Sequence, residues 1–219
     1  MAIVKEQTIE QAWRMSMWSC ARYGYSYKIE KGSYEGQVRK QLDHLTVFIE
    51  NPGTRPLAVT LPENSGIPAP TSDEKIQAYF YDYLATDTKG EKEDYTYGQY
   101  ISRQLSRLID LLNISGGATN QACMNIGDQN SIELADPPCL RVVDFKVVDG
   151  RLTMSLFFRS WDLFAGFPEN LGGLQLLKEY ILMQLTFPVE DGPIIAYSSG
   201  AHIYEQYFPL VNMLNIHQC

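Results

Sequence analysis

The run DPPCLRVVDFKVVDGRLTMSLFFRSWDLFAGFPENLGGLQLLKEYIL, Asp136 to Leu182, decides how the second half of the chain folds. Leu140 to Val148 and Leu152 to Phe158 are rich in β-branched and aromatic residues and read as strands. Asp149-Gly150 joins them, a pair that favours the positive φ angles of a tight hairpin turn. Asn170 to Leu185 reads as a buried helix, with Gly172-Gly173 allowing close packing. Pro193 to Tyr204 reads as a further strand.

Outward from that run, Glu6 to Tyr23 sets Ile9, Trp13, Met17 and Cys20 at helical spacing. Tyr25 to Glu30 looks extended, and Gly32 and Gly36 bracket a turn. His44 to Glu50 alternates Leu45, Val47 and Ile49, the pattern of a half-buried strand. The proline-rich stretch from Asn51 to Thr71 is a surface connection. Thr71 with Glu74 has the form of a capping box before a Tyr- and Phe-rich helix, Ile76 to Leu84. A polar loop, Ala85 to Glu93, leads to a helix from Tyr97 to Leu112 that stops near Gly116-Gly117. Helices mixed with hairpins predict an α+β fold, with a large mixed or antiparallel sheet packed with helices in one domain spanning residues 1–219.

Composition narrows the function. The chain is 45% hydrophobic with a formal charge of −8, so a large core is available and a general nucleic-acid-binding surface is disfavoured. The apolar run Leu174 to Leu185 carries Lys178 and Glu179 and is too short to span a bilayer. Met1 to Ala12 has no apolar signal core, so secretion is not expected and the cytoplasm is the expected compartment. Four scattered cysteines and three histidines give neither a disulfide framework nor a zinc site, and no metal is expected.

Cys139 follows Asp136-Pro137-Pro138 at a strand entrance, where two prolines stiffen the approach. Arg141, two residues on, is expected on the same strand face, and Arg159 closes the returning strand; a guanidinium nearby favours thiolate over thiol. Alone, such a cysteine is more often a small buried hydrophobe. Its company changes that reading. Pro-Cys at 138–139, Arg-Ser-Trp-Asp at 159–162, Asn170 and His-Ile-Tyr at 202–204 occur in series, and SSGAHIYEQY follows the helix. Together these segments resemble the catalytic half of thymidylate synthases, closely from Asp136 to about Pro209 and loosely before it.

The resemblance implies roles. Cys139 is then the nucleophile adding to C6 of a pyrimidine, a case of covalent catalysis. Arg159 and Ser160 hold the 5′-phosphate, and Asn170 pairs with the uracil O4 and N3 edge. His202 and Tyr204 take the ribose 3′-hydroxyl, and Asp162 faces the reduced pterin. Tyr97, in YTYGQY, resembles the tyrosine that serves proton removal at C5, and Glu74 the glutamate that organises water near O4. The implied substrate is dUMP. The cosubstrate is 5,10-methylenetetrahydrofolate or methylenetetrahydromethanopterin, and the assembly is a homodimer joined through the sheet.

Each residue also has a plainer reading: an Arg159–Asp162 ion pair, a helix cap for Asn170, a satisfied core histidine for His202, a core aromatic for Tyr97. The chain departs from the family's common pattern at Ala118-Thr119-Asn120-Gln121, where two arginines are usual, and at Leu140, where a histidine is usual. Arg39, Arg141 or Lys31 is then needed at the phosphate. Arg39, in the glycine-bearing loop KGSYEGQVRK, is preferred. The tail NMLNIHQC does not match the family's closing tail. These features resemble the compact archaeal branch. Two other activities share the pattern: a pyrimidine nucleotide hydroxymethylase, ending with water, and a non-catalytic nucleotide-binding relative.

Overall fold

In the computed structural model, described here for residues 1–31, 34–61, 66, 68–91 and 93–213, the Asp149-Gly150 turn forms as read. Both residues have positive φ, +52° and +75°, which aligns the right-handed twist of the two strands it joins. Those strands belong to a six-stranded sheet. Its members are β1 (Ala2–Glu6), β4 (Leu45–Ile49), β9 (Glu190–Ser198), β7 (Arg151–Phe158), β6 (Leu140–Val148) and β5 (Cys123–Asn125), in that spatial order. β1 runs parallel to β4 and β7 parallel to β9, and the other pairs are antiparallel, so the sheet is mixed. A smaller sheet joins β2 (Tyr25–Lys28), β3 (Val38–Leu42), β10 (Ala201–Tyr204) and β8 (Trp161–Asp162).

Helix α1 (Ile9–Tyr23) starts at a Thr8–Gln11 capping box and buries Ile9, Trp13, Met17 and Cys20, the stripe that its spacing predicts. The Trp13 indole donates to the carbonyls of Leu163 and Phe164, at 2.8 and 3.2 Å, which pins α1 to the loop after β8. Helix α2 (Asp73–Tyr79) runs into a π-helical turn, Phe80–Leu84, and α3 (Gly98–Ser115) ends on left-handed Gly116. Among the described residues no helix is long and apolar enough to cross a membrane.

Four expectations change. The cap of α2 is Ser72, which accepts from the Lys75 amide, not Thr71. Helix α4 (Gly166–Met183) begins four residues before Asn170, because Pro168 needs no donor in a first turn and fits there. Asn170 is therefore not its cap. The expected strand Pro193 to Tyr204 is two strands, β9 and β10, in different sheets. Finally, the β6–β7 register shifts between Leu140 and Val142, so the strict alternation that put Arg141 beside Cys139 fails. Gly32 and the last six residues of the NMLNIHQC tail lie outside the described residues.

One feature of the topology positions the site. The parallel neighbours β7 and β9 leave the large sheet at the same level, after the pair Phe158 and Ser198, and enter the small sheet side by side as β8 and β10. Arg159-Ser160 and Ser199-Gly200 are the two crossovers. They touch so closely that a Cβ on Gly200 would sit 2.7 Å from the Arg159 carbonyl, a contact only glycine permits.

Candidate active site

The Arg159-Ser160 crossover forms one wall of a cavity of about 490 Å³, a size suited to a small ligand. Cys139 enters from the start of β6, and Arg159, Ser160 and Asp162 from the β7–β8 crossover. His202 and Tyr204 come from β10, and Arg39 from β3 opposite Tyr204. Seven of the residues singled out from sequence thus share one space. Lys31 lines it too. Asn170 stands just behind Asp162, since a Cβ on Gly166 would lie 3.4 Å from the Asp162 Cβ and 3.5 Å from Asn170 Oδ1.

Arg159 makes the wall. Its Nε donates to the Pro138 carbonyl at 3.0 Å, its Nη2 to the Pro137 carbonyl, and the same nitrogen lies 3.5 Å from the Asp136 carboxylate. The expected Arg159–Asp162 ion pair does not form; Asp136 and the two prolyl carbonyls are the partners instead. Burial raises the pKa of Cys139; Arg159 and Arg39 oppose the rise, while Asp136 and Asp162 add to it. Arg159 does favour the thiolate, as its place beside the thiol led one to expect, but burial outweighs the two guanidiniums and the net direction favours the thiol.

Asp162 takes the Phe164 amide at 2.9 Å, at the approach to α4. Its carboxyl pKa is raised by burial, against the pull of the Phe164, Ala165 and Gly166 amides. His202 is 3% exposed, and its Nδ1 lies 2.8 Å from the Gly200 carbonyl. A carbonyl only accepts, so Nδ1 carries the proton and Nε2 is left a bare acceptor. That Nε2 is buried and has no partner among the described residues. Burial, with Arg39 and Arg159 nearby, lowers the ring pKa to about 4, so it is neutral at pH 7. An unpaired buried acceptor costs roughly 1–3 kcal/mol, which a hydroxyl donor would recover.

Tyr97 stands at the cap position before α3, its hydroxyl accepting from the Leu140 amide at 3.1 Å, one residue from Cys139. Arg39 lies 4.9 Å over the Tyr27 ring and donates to that phenol. Four candidates do not line the cavity: Asn170 and Tyr97 stand behind it, and Arg141 and Glu74 lie elsewhere. Arg141 lines a separate crevice beside Gly127 and Asp128, on the far side of the register shift. Glu74 is exposed in the first turn of α2, bonded near Ser72, which lowers its pKa.

Sequence reading missed Tyr34, whose ring packs 4.4 Å from Tyr204, and Asp136, which faces Arg159. It also missed the aromatic group behind Cys139, where Tyr83 contacts both Tyr79 and Tyr97. The i, i+4 spacing of Tyr79 and Tyr83 was the available signal. A larger hollow of about 1000 Å³ lies between α3 and α4, but its lining holds none of the residues singled out as candidate chemistry. Among the described residues no three His, Cys, Asp or Glu side chains gather to hold a metal.

The thymidylate synthase family profile matches residues 82–216, which include Cys139 and every cavity residue from Leu134 onward. The chain belongs to the thymidylate synthase family. Two relatives, each named "Putative thymidylate synthase", come from Methanosarcina acetivorans and Methanopyrus kandleri. They are 28% and 25% identical to this chain; the alignments cover 95% and 94% of it, and 92% and 95% of the relatives. The solved thermostable thymidylate synthase A of Bacillus subtilis superposes with a TM-score of 0.72 at 15% identity, over 97% of this chain and 86% of its own. The fold is therefore the thymidylate synthase α+β fold. The family is one of methyltransferases acting on dUMP with a folate-type cosubstrate.

Proposed function

We propose that this thymidylate synthase homologue catalyses the reductive methylation of dUMP to dTMP. The observation that carries the reading is the shared cavity: a thiol, two guanidiniums and an unpartnered buried acceptor within about 490 Å³. Arg159, Ser160 and Arg39, with Lys31, bind the 5′-phosphate, for which forked guanidinium donors are suited. His202 Nε2 accepts the ribose 3′-hydroxyl proton and Tyr204 supports it. Asn170 reads the O4 and N3 edge of uracil.

Cys139 Sγ adds to C6, the C5–C6 π bond breaks, and its electrons move toward C5 and O4, so C5 becomes the nucleophile. The thiolate that attacks is the minor form in the free protein, and Arg159 and Arg39 are the groups that favour it. The reduced pterin, whether 5,10-methylenetetrahydrofolate or methylenetetrahydromethanopterin, would supply the one-carbon unit and then the hydride, leaving as the dihydropterin. The Cys139–C6 bond breaks to restore the C5–C6 double bond and free the thiolate. The pterin's amino and ring N–H groups call for an acceptor, and Asp162 is the carboxylate in the wall that fits. Tyr97 serves proton removal at C5. Glu74, exposed on α2, has no part in this reading.

A homodimer through the large sheet belongs to the same proposal, within one domain over residues 1–219. Val142, Phe157, Ile195 and Tyr197 alternate away from the core and stay only half-buried, with Phe157 stacked on Tyr197 at 5.4 Å. Such a face is self-complementary under a two-fold axis. Sedimentation at micromolar concentration should give a dimer, and a monomer there would sink this part.

The activity is tested by mass spectrometry of the nucleotide after incubation with dUMP and each methylene-pterin, using wild type and Cys139→Ser. Wild type should yield the methyl product with at least one donor, and the serine variant should lose at least about 10⁴-fold in turnover. A hydroxymethyl product would make the chain a hydroxymethylase, and unchanged dUMP with both donors would make it a binding protein.

A further inference from the structure

We propose that Trp161 and Tyr79 hold the Asn170 amide in one orientation and thereby select a 4-oxo over a 4-amino pyrimidine. This rests on the reading that Asn170 contacts the base. An asparagine amide has an oxygen and an NH₂ of nearly equal shape, and a freely turning one can serve either kind of base edge. Here it is not free. Trp161 Nε1 lies 3.3 Å from Asn170 Oδ1, and Asn170 Nδ2 donates to the Tyr79 hydroxyl at 3.0 Å. An indole N–H donates and never accepts, so the amide atom facing it has to be the oxygen. A flip would oppose two N–H groups.

Neither partner can yield. Trp161 is 2% exposed and stacks between Phe158 and Phe167, with centroids 4.3 and 4.5 Å away and interplanar angles of 2° and 21°. Tyr79 lies against α4 at Gly173, where a Cβ would come within 2.5 Å of its ring, so the glycine admits it. Its ring also stacks on Tyr83 at 5.4 Å, and burial raises its pKa, which keeps the phenol neutral.

With one lone pair and one N–H so engaged, Asn170 keeps one of each for a ligand. On the reading that its Nδ2 meets O4 and its Oδ1 meets N3–H, uracil is matched. The same fixed orientation opposes cytosine's amino donor and bare N3. Unpaired buried polar groups discriminate far more strongly than missing apolar contacts. Selectivity therefore lies partly in two positioning residues that touch Asn170 rather than the base.

The test is the ratio of dUMP to dCMP affinity, by calorimetry on the whole protein, for wild type, Trp161→Phe and Tyr79→Phe. Phenylalanine keeps the ring stacking in both cases, and melting curves check the fold. Wild type should prefer dUMP, and Trp161→Phe should narrow that ratio by at least about tenfold with dUMP affinity falling less than about threefold. Tyr79→Phe should narrow it less, since Trp161 alone still forbids a flip. Side-chain ¹H–¹⁵N spectra of the nucleotide-free protein should show one Asn170 amide environment in wild type and a changed one in Trp161→Phe. An unchanged ratio in Trp161→Phe overturns the lock and leaves the proposed activity standing. A wild type that binds neither nucleotide overturns the reading of Asn170 as a base contact, and the selectivity role with it.

Discussion

The cavity is built by two regions of very different kind. Residues 136–204 supply Cys139, Arg159, Ser160, Asp162, His202 and Tyr204 from strand ends that switch sheets together. Residues before 100 supply Arg39 from β3, an inner strand of the small sheet, Lys31 from the loop after β2, and Tyr97 and Tyr79 from helices packed behind. The first region carries its functional groups on the same backbone that makes the wall. The second brings them from separate elements, Arg39 by pairing of β3 with β10 and Tyr97 by packing of α3 behind β6. The first region fixes its groups along the segments that form the wall, and the second fixes them by contact with those segments.

The two arginines should separate on that basis. Arg159 holds the Pro137 and Pro138 carbonyls and faces Asp136, so it shapes the site as well as charging it. Arg159→Gln should weaken dUMP binding by at least about a hundredfold and lower the melting temperature by about 5 °C, the cost of several lost charged hydrogen bonds. Arg39 donates to Tyr27 on the neighbouring strand, stands against the Tyr204 hydroxyl and faces the cavity. Arg39→Gln should cost about tenfold in dUMP affinity and leave the melting temperature within about 2 °C. Equal effects on binding and on melting would erase the distinction between the regions.

The same division explains what could be read in advance. The Asp149-Gly150 hairpin and the α1 stripe are short-range patterns, and the structure keeps them. Readings failed where one residue of slip changes the face. Ser72 rather than Thr71 caps α2, and Glu74 in its first turn is exposed. The register shift after Leu140 sends Arg141 to another crevice. The break at Ser199-Gly200 divides what looked like one strand; Ser-Gly is a local turn signal that the alternating apolar residues on either side outweighed, and the close approach of Arg159 is what requires the glycine. Nothing around His202 in sequence tells which carbonyl its Nδ1 meets, and that contact decides which nitrogen is left for a ligand.

His202 gives the smallest expected effect, and the one that most directly tests the sheet-borne region as a rigid frame. Its folded pKa is about 4, against 6.5 for an unburied ring. Between those values the unfolded chain binds a proton that the folded one does not, so this residue makes stability fall as pH drops from 6.5 toward 4 and contributes nothing of the kind above 6.5. Binding behaves differently, because Nε2 stays a bare acceptor in the folded protein throughout that window. The ratio of dUMP affinities of wild type and His202→Asn, which cancels the titration of the phosphate itself, should stay within about twofold from pH 8 to pH 5. A loss centred near pH 6.5 would mean that the ring protonates in place. The Gly200 contact and the surrounding burial would then not hold His202 neutral, and the frame would be looser than the crossover geometry implies.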